Sequence, residues 1–156
     1  MPQTEVEILV VEDDGEDLYL ILHALRHLCG RIEVAREGEA ALEFLFCRGA
    51  FRGRDPDRGP KLVLLDLKLP KVDGLEVLRA IKQDPRTRFL PVVILTSSRQ
   101  ESDMLRSYER GANSYVEKPV DFEQFRETVR HLASYWLRVN QAPLWDARKA
   151  NGCLAW

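Results

Sequence analysis

Four stretches of the sequence place a polar side chain directly after a short apolar run. The residues at these points are Glu12, Asp13, Asp66, Thr96 and Lys118. Carboxylates at this kind of position can bind a divalent cation such as magnesium, and a carboxylate can also be the nucleophile in phosphoryl transfer. A hydroxyl and an ammonium group are donors that stabilise a bound anion. The residue types therefore predict a magnesium-dependent site that accepts a phosphoryl group.

The apolar runs alternate with helical patterns along the chain. Predicted strands cover Val6–Val11, Arg31–Ala35, Leu62–Asp66, Val92–Thr96 and Asn113–Val116. Three of them are almost wholly apolar, which is typical of parallel strands covered on both faces. The alternation predicts an α/β fold: a doubly wound (βα)5 unit whose five-stranded parallel sheet has helices on both faces. Functional sites of such sheets lie at the carboxyl ends of the strands, so we expect the polar residues to meet there.

Each polar residue also has a simpler explanation when it is taken alone. A single Asp, Thr or Lys after a strand is usually an ordinary loop residue. The acidic run Glu12-Asp13-Asp14 could do no more than cap the first helix, where negative charge is favourable. Complementary groups at four separate strand ends are much harder to explain in this way. The fourth helix is predicted to begin at Ser98, with Glu101 three residues later as the partner of a capping box.

Composition narrows the classes of function. The chain has 156 residues and a formal net charge of −2, which gives no general argument for a nucleic-acid or anionic-membrane partner. No apolar run is long enough to span a bilayer, and no basic segment precedes the first apolar stretch. The three cysteines, Cys29, Cys47 and Cys153, are odd in number and widely spaced, which favours a reducing cytoplasm.

Two segments do not belong to the alternating pattern. Residues 47–60 form a polar insertion with four arginines and two aspartates. A solvated loop is the simpler interpretation, and a nucleic-acid patch is the alternative. The predicted domain covers residues 1–138, and residues 139–156 form a tail that includes Trp145 and Trp156. We expect no effector domain after it, because the tail is too short for a second domain.

The motifs ILVVEDD, LLDLKLPKVDG, VVILTSS and YVEKPV occur in this order, and together they resemble the receiver domain of two-component response regulators. The resemblance covers about residues 5–138 and implies a flavodoxin-like receiver fold. It implies that Asp66 is the phosphoacceptor and a metal ligand. Asp13 is the implied direct ligand of Mg²⁺ or Mn²⁺, Glu12 acts through water, and Lys68 contributes its backbone carbonyl. The long Lys68 side chain departs from the usual pattern and is a possible modulator of the site.

The resemblance also implies roles in switching. Thr96 is the implied switch hydroxyl, Tyr115 is the aromatic switch residue, and Lys118 pairs with a phosphoryl oxygen. Ser98 is a possible modulator. The bond between Lys118 and Pro119 is implied to be cis. The implied function is transfer of a phosphoryl group from a sensor histidine kinase to Asp66, followed by a change of surface. Such a protein is a signalling phosphoacceptor that catalyses its own phosphorylation and slow dephosphorylation rather than an enzyme.

A finer resemblance concerns the insertion and the LTSS ending of the fourth strand. Both are similar to stand-alone regulators that pair with bacterial phytochrome kinases. Such regulators imply an unnamed downstream protein and a homodimer through the helix 4–strand 5–helix 5 side and the C-terminal region. A phosphorylation-independent binding module is the alternative function. It has no need of the intact residues Glu12, Asp13, Asp66, Thr96 and Lys118.

Overall fold

The computed structural model describes residues 5–143 and 145. They contain the predicted five-stranded parallel sheet. The strands are β1 (Val6–Val11), β2 (Arg31–Ala35), β3 (Leu62–Leu65), β4 (Val92–Thr96) and β5 (Ser114–Glu117). All neighbouring strands are parallel, in the order β2-β1-β3-β4-β5. This is the doubly wound order in which the winding reverses between β1 and β3. The central strands β3 and β4 are buried along their whole length, as their apolar sequences predict.

Five α-helices connect or follow the strands in the described part of the chain. They are α1 (Gly15–Leu25), α2 (Gly38–Leu45), α3 (Gly74–Gln83), α4 (Glu101–Glu109) and α5 (Phe122–Ser134). Alternate residues of each central strand face opposite sides of the sheet. Leu9 and Val63 face α2 and α3, whereas Ile8 and Leu64 face α1 and α5. The sheet therefore separates two apolar layers, and its strand ends are held from both sides.

The sequence predicted most boundaries correctly, but three differ. β3 ends at Leu65, one residue before the predicted end at Asp66. β5 lies one residue later than predicted, because the side chain of Asn113 accepts a hydrogen bond from the backbone N–H of Val92 instead of extending the strand. Helix α4 begins at Glu101, and its N-cap residue is Gln100, so the predicted start at Ser98 was wrong. Ser98 is instead engaged in hydrogen bonds of the loop between β4 and α4.

Arg54 fixes the insertion to the end of α2. Its guanidinium donates to the carbonyl oxygens of Phe44 and Leu45 at 2.8 and 3.2 Å, and it stacks on the Phe44 ring at 4.5 Å. Carbonyls in the last turn of a helix lack the N–H groups of a following turn, so a cation at the helix C-terminus is favourable. Arg58 pairs with Glu5 and Asp55. The Arg48 guanidinium lies over the Phe46 ring at 5.2 Å. Three of the four arginines therefore make side-chain contacts within the chain, which weakens the nucleic-acid interpretation of this segment.

The described part of the tail returns to the insertion. A π-helical turn, Tyr135–Val139, follows α5. Farther on, the indole Nε1 of Trp145 donates to the Pro60 carbonyl oxygen at 2.9 Å, and the ring packs against the apolar layer on the α2 side. Trp136 is partly buried and packs against the opposite layer. Trp156 and Cys153 lie outside the described residues. Within the described part of the chain, no helix is both long and apolar enough to cross a bilayer.

The contact between Trp145 and Gly59 gives a test of this arrangement. A Cβ atom on Gly59 would lie 2.3 Å from the Trp145 ring, whereas a Cβ atom on Gly53 would have no heavy atom within 4 Å. We expect Gly59→Ala to displace the indole and to lower the free energy of unfolding by about 1–2 kcal/mol. Urea denaturation and acrylamide quenching of tryptophan fluorescence measure the two effects.

The matched control is Gly53→Ala, which should change neither measurement. In a Trp145→Ala background, Gly59→Ala should cost nothing further. An equal cost in both backgrounds would contradict the packing of Trp145 on the insertion.

Candidate functional site

The ammonium group of Lys118 is the centre of the polar cluster at the carboxyl ends of the strands. Its Nζ lies 2.5 Å from Glu12 Oε1, 2.7 Å from Asp17 Oδ2 and 2.8 Å from Asp66 Oδ2. Lys118, Glu12 and Asp66 are all buried. An ammonium group has three N–H donors, so these three carboxylates use all of them. When all three carboxylates are ionised, the charges of this group sum to −2, which leaves the cluster with unbalanced negative charge.

The parallel sheet places these residues next to one another. The backbone N–H of Asp66 donates to the Val11 carbonyl at 3.0 Å, which fixes the end of β3 beside the end of β1. The N–H of Lys118 donates to the Thr96 carbonyl at 2.7 Å, which fixes the residue after β5 beside β4. Glu12 directly follows β1 and donates its N–H to Ala35 on β2. The positions of the charged groups thus follow from the register of the sheet.

Burial dominates the electrostatics of Glu12. Desolvation, with the negative charge of Asp66 as a second cause, raises the pKa of Glu12 to about 7. The hydrogen bonds from Lys118 and from the Asp14 backbone act in the opposite direction without overcoming it. Burial also acts to lower the pKa of Lys118, but the hydrogen bonds to Asp17, Asp66 and Glu12 outweigh it and hold this pKa above its ordinary value. Lys118 is therefore charged, and the carboxylates share one cation.

The donor set fits a hard divalent cation. Among the described residues, no three His, Cys, Asp or Glu side chains form a ready-made ligand set. Magnesium does not require one, because it commonly takes one or two carboxylates and keeps several waters. Asp13 is exposed and directly follows the buried Glu12, and Lys68 lies two residues after the buried Asp66 and is exposed. The unbalanced negative charge next to exposed oxygen donors is the observation that favours a cation.

Gly74 holds the loop after β3 against the backbone of Asp66. A Cβ atom at position 74 would lie 2.2 Å from the Asp66 carbonyl oxygen and 2.5 Å from Leu67 Cα. The N–H of Gly74 donates to the Leu67 carbonyl at 2.9 Å, and Asp73 caps α3 through the N–H of Glu76. The residue pair Asp73-Gly74 therefore begins α3 in direct contact with the backbone that presents Asp66.

A second network surrounds Thr96, which is fully buried. Its Oγ1 accepts from the N–H of Ser98 at 3.3 Å, and the Tyr115 hydroxyl donates to the Ser98 carbonyl at 3.1 Å. The Ser98 hydroxyl donates to Asp103 on α4 at 2.5 Å. Burial is the main cause that raises the pKa of the Tyr115 hydroxyl. Ser98 thus joins β4, β5 and α4 through three of its polar groups.

The structure brings together most of the residues that the sequence singled out. Glu12, Asp66 and Lys118 are in contact, and Thr96 and Tyr115 meet at Ser98. Two predicted members are less engaged: the side chains of Asp13 and Lys68 are exposed.

One implied feature was wrong in this structure. The bond between Lys118 and Pro119 is trans, since no cis peptide bond occurs among the described residues. The trans form is the intrinsic preference of an X–Pro bond, and it is adopted here instead of the cis form that the resemblance implied.

Two acidic residues of the site were missed from the sequence. Asp17 binds Lys118 from the first turn of α1, and Asp103 binds Ser98 from the first turn of α4. Acidic residues are common in first turns because they complement the helix dipole, so their type gave no signal. Their role depends on how each helix is placed over the sheet, which the sequence pattern does not specify.

The sequence of this chain is similar to a known family and to several characterised proteins. The family model described as "Response regulator receiver domain" matches residues 8–130. "Probable methanogenesis regulatory protein FilR2" of Methanothrix harundinacea is 45% identical over 139 residues, covering 87% of this chain and 86% of that protein. "Response regulator Rcp1" of Synechocystis sp. is 38% identical over 138 residues, covering 87% of this chain and 92% of that protein.

Solved structures agree in fold. The phosphorylated cyanobacterial phytochrome response regulator RcpA has a TM-score of 0.83 and 34% identity, covering 90% of this chain and 99% of that chain. The Mn²⁺-bound form of Rcp1 has a TM-score of 0.82 and 37% identity, covering 90% of this chain and 99% of that chain. The bacteriophytochrome response regulator AtBRR has a TM-score of 0.69 and 48% identity, covering 89% of this chain and 100% of that chain. The predicted flavodoxin-like receiver fold is confirmed.

The raised pKa of Glu12 predicts a pH dependence of stability. The Glu12 carboxyl titrates near 7 in the folded chain, against an ordinary value of 4.5. The folded chain therefore binds more protons between these values, and its free energy of unfolding falls as pH rises through this window. Glu12→Gln removes this loss. We expect the stability of the variant relative to the wild type to rise by about 2–3 kcal/mol between about pH 4.5 and pH 8.

Urea denaturation in the presence of a chelator measures this difference. Glu16→Gln, which removes an exposed carboxylate from the next helix, is the control for the loss of one charge. A difference between Glu12→Gln and the wild type that does not vary with pH would contradict the assignment.

Proposed function

Because this chain belongs to the response regulator receiver family, we propose that Asp66 accepts a phosphoryl group from the phosphohistidine of a sensor histidine kinase. One observation supports this choice of residue above all. Asp66 directly follows a wholly buried central strand, and its Oδ2 lies 2.8 Å from the buried ammonium of Lys118. The rigid strand holds the carboxylate in place, and the Lys118 ammonium lies where negative charge would develop during phosphoryl transfer.

The proposed step is an in-line displacement. A carboxylate oxygen of Asp66 attacks phosphorus, the new P–O bond forms, and the P–N bond to histidine breaks. The imidazole nitrogen leaves with the electron pair, which later binds a proton from solvent. Lys118 donates to a phosphoryl oxygen. A bound Mg²⁺ or Mn²⁺ would offset negative charge, held by Asp13, Asp66 and the Lys68 carbonyl, with Glu12 acting through water.

The proposed response uses the second network. A phosphoryl group adds negative charge and acceptor oxygens beside Thr96, whose hydroxyl proton can donate to them. Movement of Thr96 changes the bond from the Ser98 N–H, and Ser98 in turn contacts Tyr115 and Asp103. The network thus offers a route from the site to α4 and β5. The change is a population shift between two arrangements of this surface.

Receiver domains are signalling phosphoacceptors that are not generally classed as enzymes. We propose that this one catalyses its own phosphorylation and a slow dephosphorylation. Lys68 and Ser98 would modulate those rates, since the first places a cation at the mouth of the site and the second fixes the loop beside Thr96. A phosphorylation-independent binding module was the alternative, and no feature of the described residues favours it over the phosphoacceptor.

The partners follow from the family and from the neighbouring structures. We propose a cytoplasmic protein whose receiver domain covers residues 1–138 and whose output is a contact with a downstream protein. RcpA and AtBRR are phytochrome-type response regulators. Their likeness supports a phytochrome-type kinase as the phosphoryl donor for this chain.

Intact mass spectrometry tests the phosphoacceptor. Incubation with magnesium and acetyl phosphate should add one phosphoryl group to the wild type and none to Asp66→Asn, because the amide oxygen of asparagine is a poor nucleophile. A chelator should abolish the adduct. The matched control is Asp121→Asn, which replaces the N-cap residue of α5 by another good N-cap and should leave the adduct intact.

An adduct that persists in Asp66→Asn would contradict the proposed acceptor. A folded wild type that takes up no phosphoryl group would favour the binding module. With a purified phytochrome-type kinase as donor, transfer that differs between red and far-red light would support the finer assignment, and transfer independent of light would contradict it.

Exposed apolar side chains on the helix 4–strand 5–helix 5 side support a homodimer. Leu105 and Tyr108 on α4 are 58% and 49% exposed, and Phe122 at the start of α5 is 66% exposed.

We expect Leu105→Asp to weaken self-association by roughly tenfold or more, because a carboxylate would be buried in an apolar contact. Sedimentation equilibrium measures it. Tyr19→Asp alters an equally exposed apolar residue on α1 and is the control. A wild type that is monomeric throughout, with and without phosphorylation, would contradict the dimer.

A further inference from the structure

We propose that Asp17 is a positioning residue that holds Lys118 in the unphosphorylated protein and is the partner that Lys118 releases when a phosphoryl group binds. This inference rests on the proposed function and concerns the same site. Asp17 lies in the first turn of α1, outside the four strand-end motifs, and its Oδ2 is 2.7 Å from Lys118 Nζ.

The need for a release follows from the number of donors. The Lys118 ammonium has three N–H bonds, and they are donated to Glu12, Asp17 and Asp66. A phosphoryl oxygen on Asp66 needs a donor in the same place. Lys118 can supply one only when it turns an N–H away from one of its present partners. Binding of the phosphoryl group is therefore an exchange of hydrogen bonds.

Burial decides which partner is released. The Glu12 side chain is 2% exposed, so losing Lys118 would break the direct ion pair of a buried carboxylate. Asp66 is the residue that becomes phosphorylated, so it stays next to Lys118 in either state. The Asp17 side chain is 26% exposed, and a released Asp17 carboxylate can be hydrated. The exchange thus costs least at Asp17.

The exchange has a mechanical consequence. The bond between Asp17 and Lys118 joins the first turn of α1 to the end of β5. Phosphorylation would open this link and free the first turn of α1 from the site, and Tyr19 is exposed farther along the same helix. The α1 surface would then respond to phosphorylation as well as the surface around α4.

Beryllium fluoride with saturating magnesium is the probe, because it is a non-covalent mimic of the phosphoryl group, and ¹⁹F NMR measures its dissociation constant. Asp17→Asn keeps the shape of the side chain but replaces a charged acceptor by a neutral one. We expect it to bind the probe roughly three- to tenfold more tightly than the wild type, since Lys118 gives up a weaker bond. Asp17→Ala, which removes the acceptor, should give a gain at least as large.

Glu16→Gln is the matched control. Glu16 lies in the same helical turn and is exposed, and the variant removes the same charge, so it reports any general electrostatic effect on anion binding. We expect its dissociation constant to stay within about twofold of the wild type, because an exposed charge is screened. A second readout needs neither metal nor probe: the ¹⁵N resonance of the Lys118 ammonium should shift in Asp17→Asn and not in Glu16→Gln.

The outcomes distinguish the exchange at Asp17 from the proposed phosphoacceptor function. Tighter binding by the Asp17 variants than by Glu16→Gln, together with the shifted ammonium resonance, would support the exchange. Binding by both Asp17 variants that equals or falls below that of Glu16→Gln would overturn it. A folded wild type that binds no beryllium fluoride would overturn the proposed function, and the exchange at Asp17 would fall with it.

Discussion

One buried ammonium group shared by three carboxylates constrains the rest of this structure. An ion pair away from water is stable only when its geometry is good and its remaining polar atoms are bonded, because desolvation costs several kcal/mol per ion. Strands β1, β3 and β5 are followed directly by Glu12, Asp66 and Lys118, so the strands must hold these residues to within the length of a hydrogen bond. A fully buried parallel sheet with an apolar layer on each side provides that rigidity. The electrostatic strain that remains is evident in the raised pKa of Glu12.

Much of this arrangement could be predicted from the sequence because it depends on short-range patterns. The apolar runs gave β1, β2 and β4 with the observed ends, and the rule that parallel strands end at one rim brought Glu12, Asp66 and Lys118 together. What could not be predicted depends on how helices sit on the sheet. Asp17 looks like any first-turn acid until α1 is placed. Ser98 has the type of an N-cap residue, yet it is used by the loop that surrounds Thr96.

The two segments that the pattern left aside turned out to be in contact. The insertion is held by Arg54 at the end of α2, and the tail reaches it through Trp145. Neither contact has a sequence signature, because each joins residues through backbone carbonyls, which every residue has. The arginines of the insertion suggested a charged surface, whereas Arg54 acts by satisfying carbonyl groups at a helix end.

Strand β3 is fastened at both of its ends. Trp145 binds Pro60 just before the strand, and Gly74 presses against Asp66 just after it. Local opening of a protein usually starts at an unfastened end and spreads inward. Because both ends of β3 are held by contacts, its amide hydrogens should exchange only when the whole domain unfolds. The phosphoacceptor would then keep its position during the smaller fluctuations that loosen the edges of the sheet.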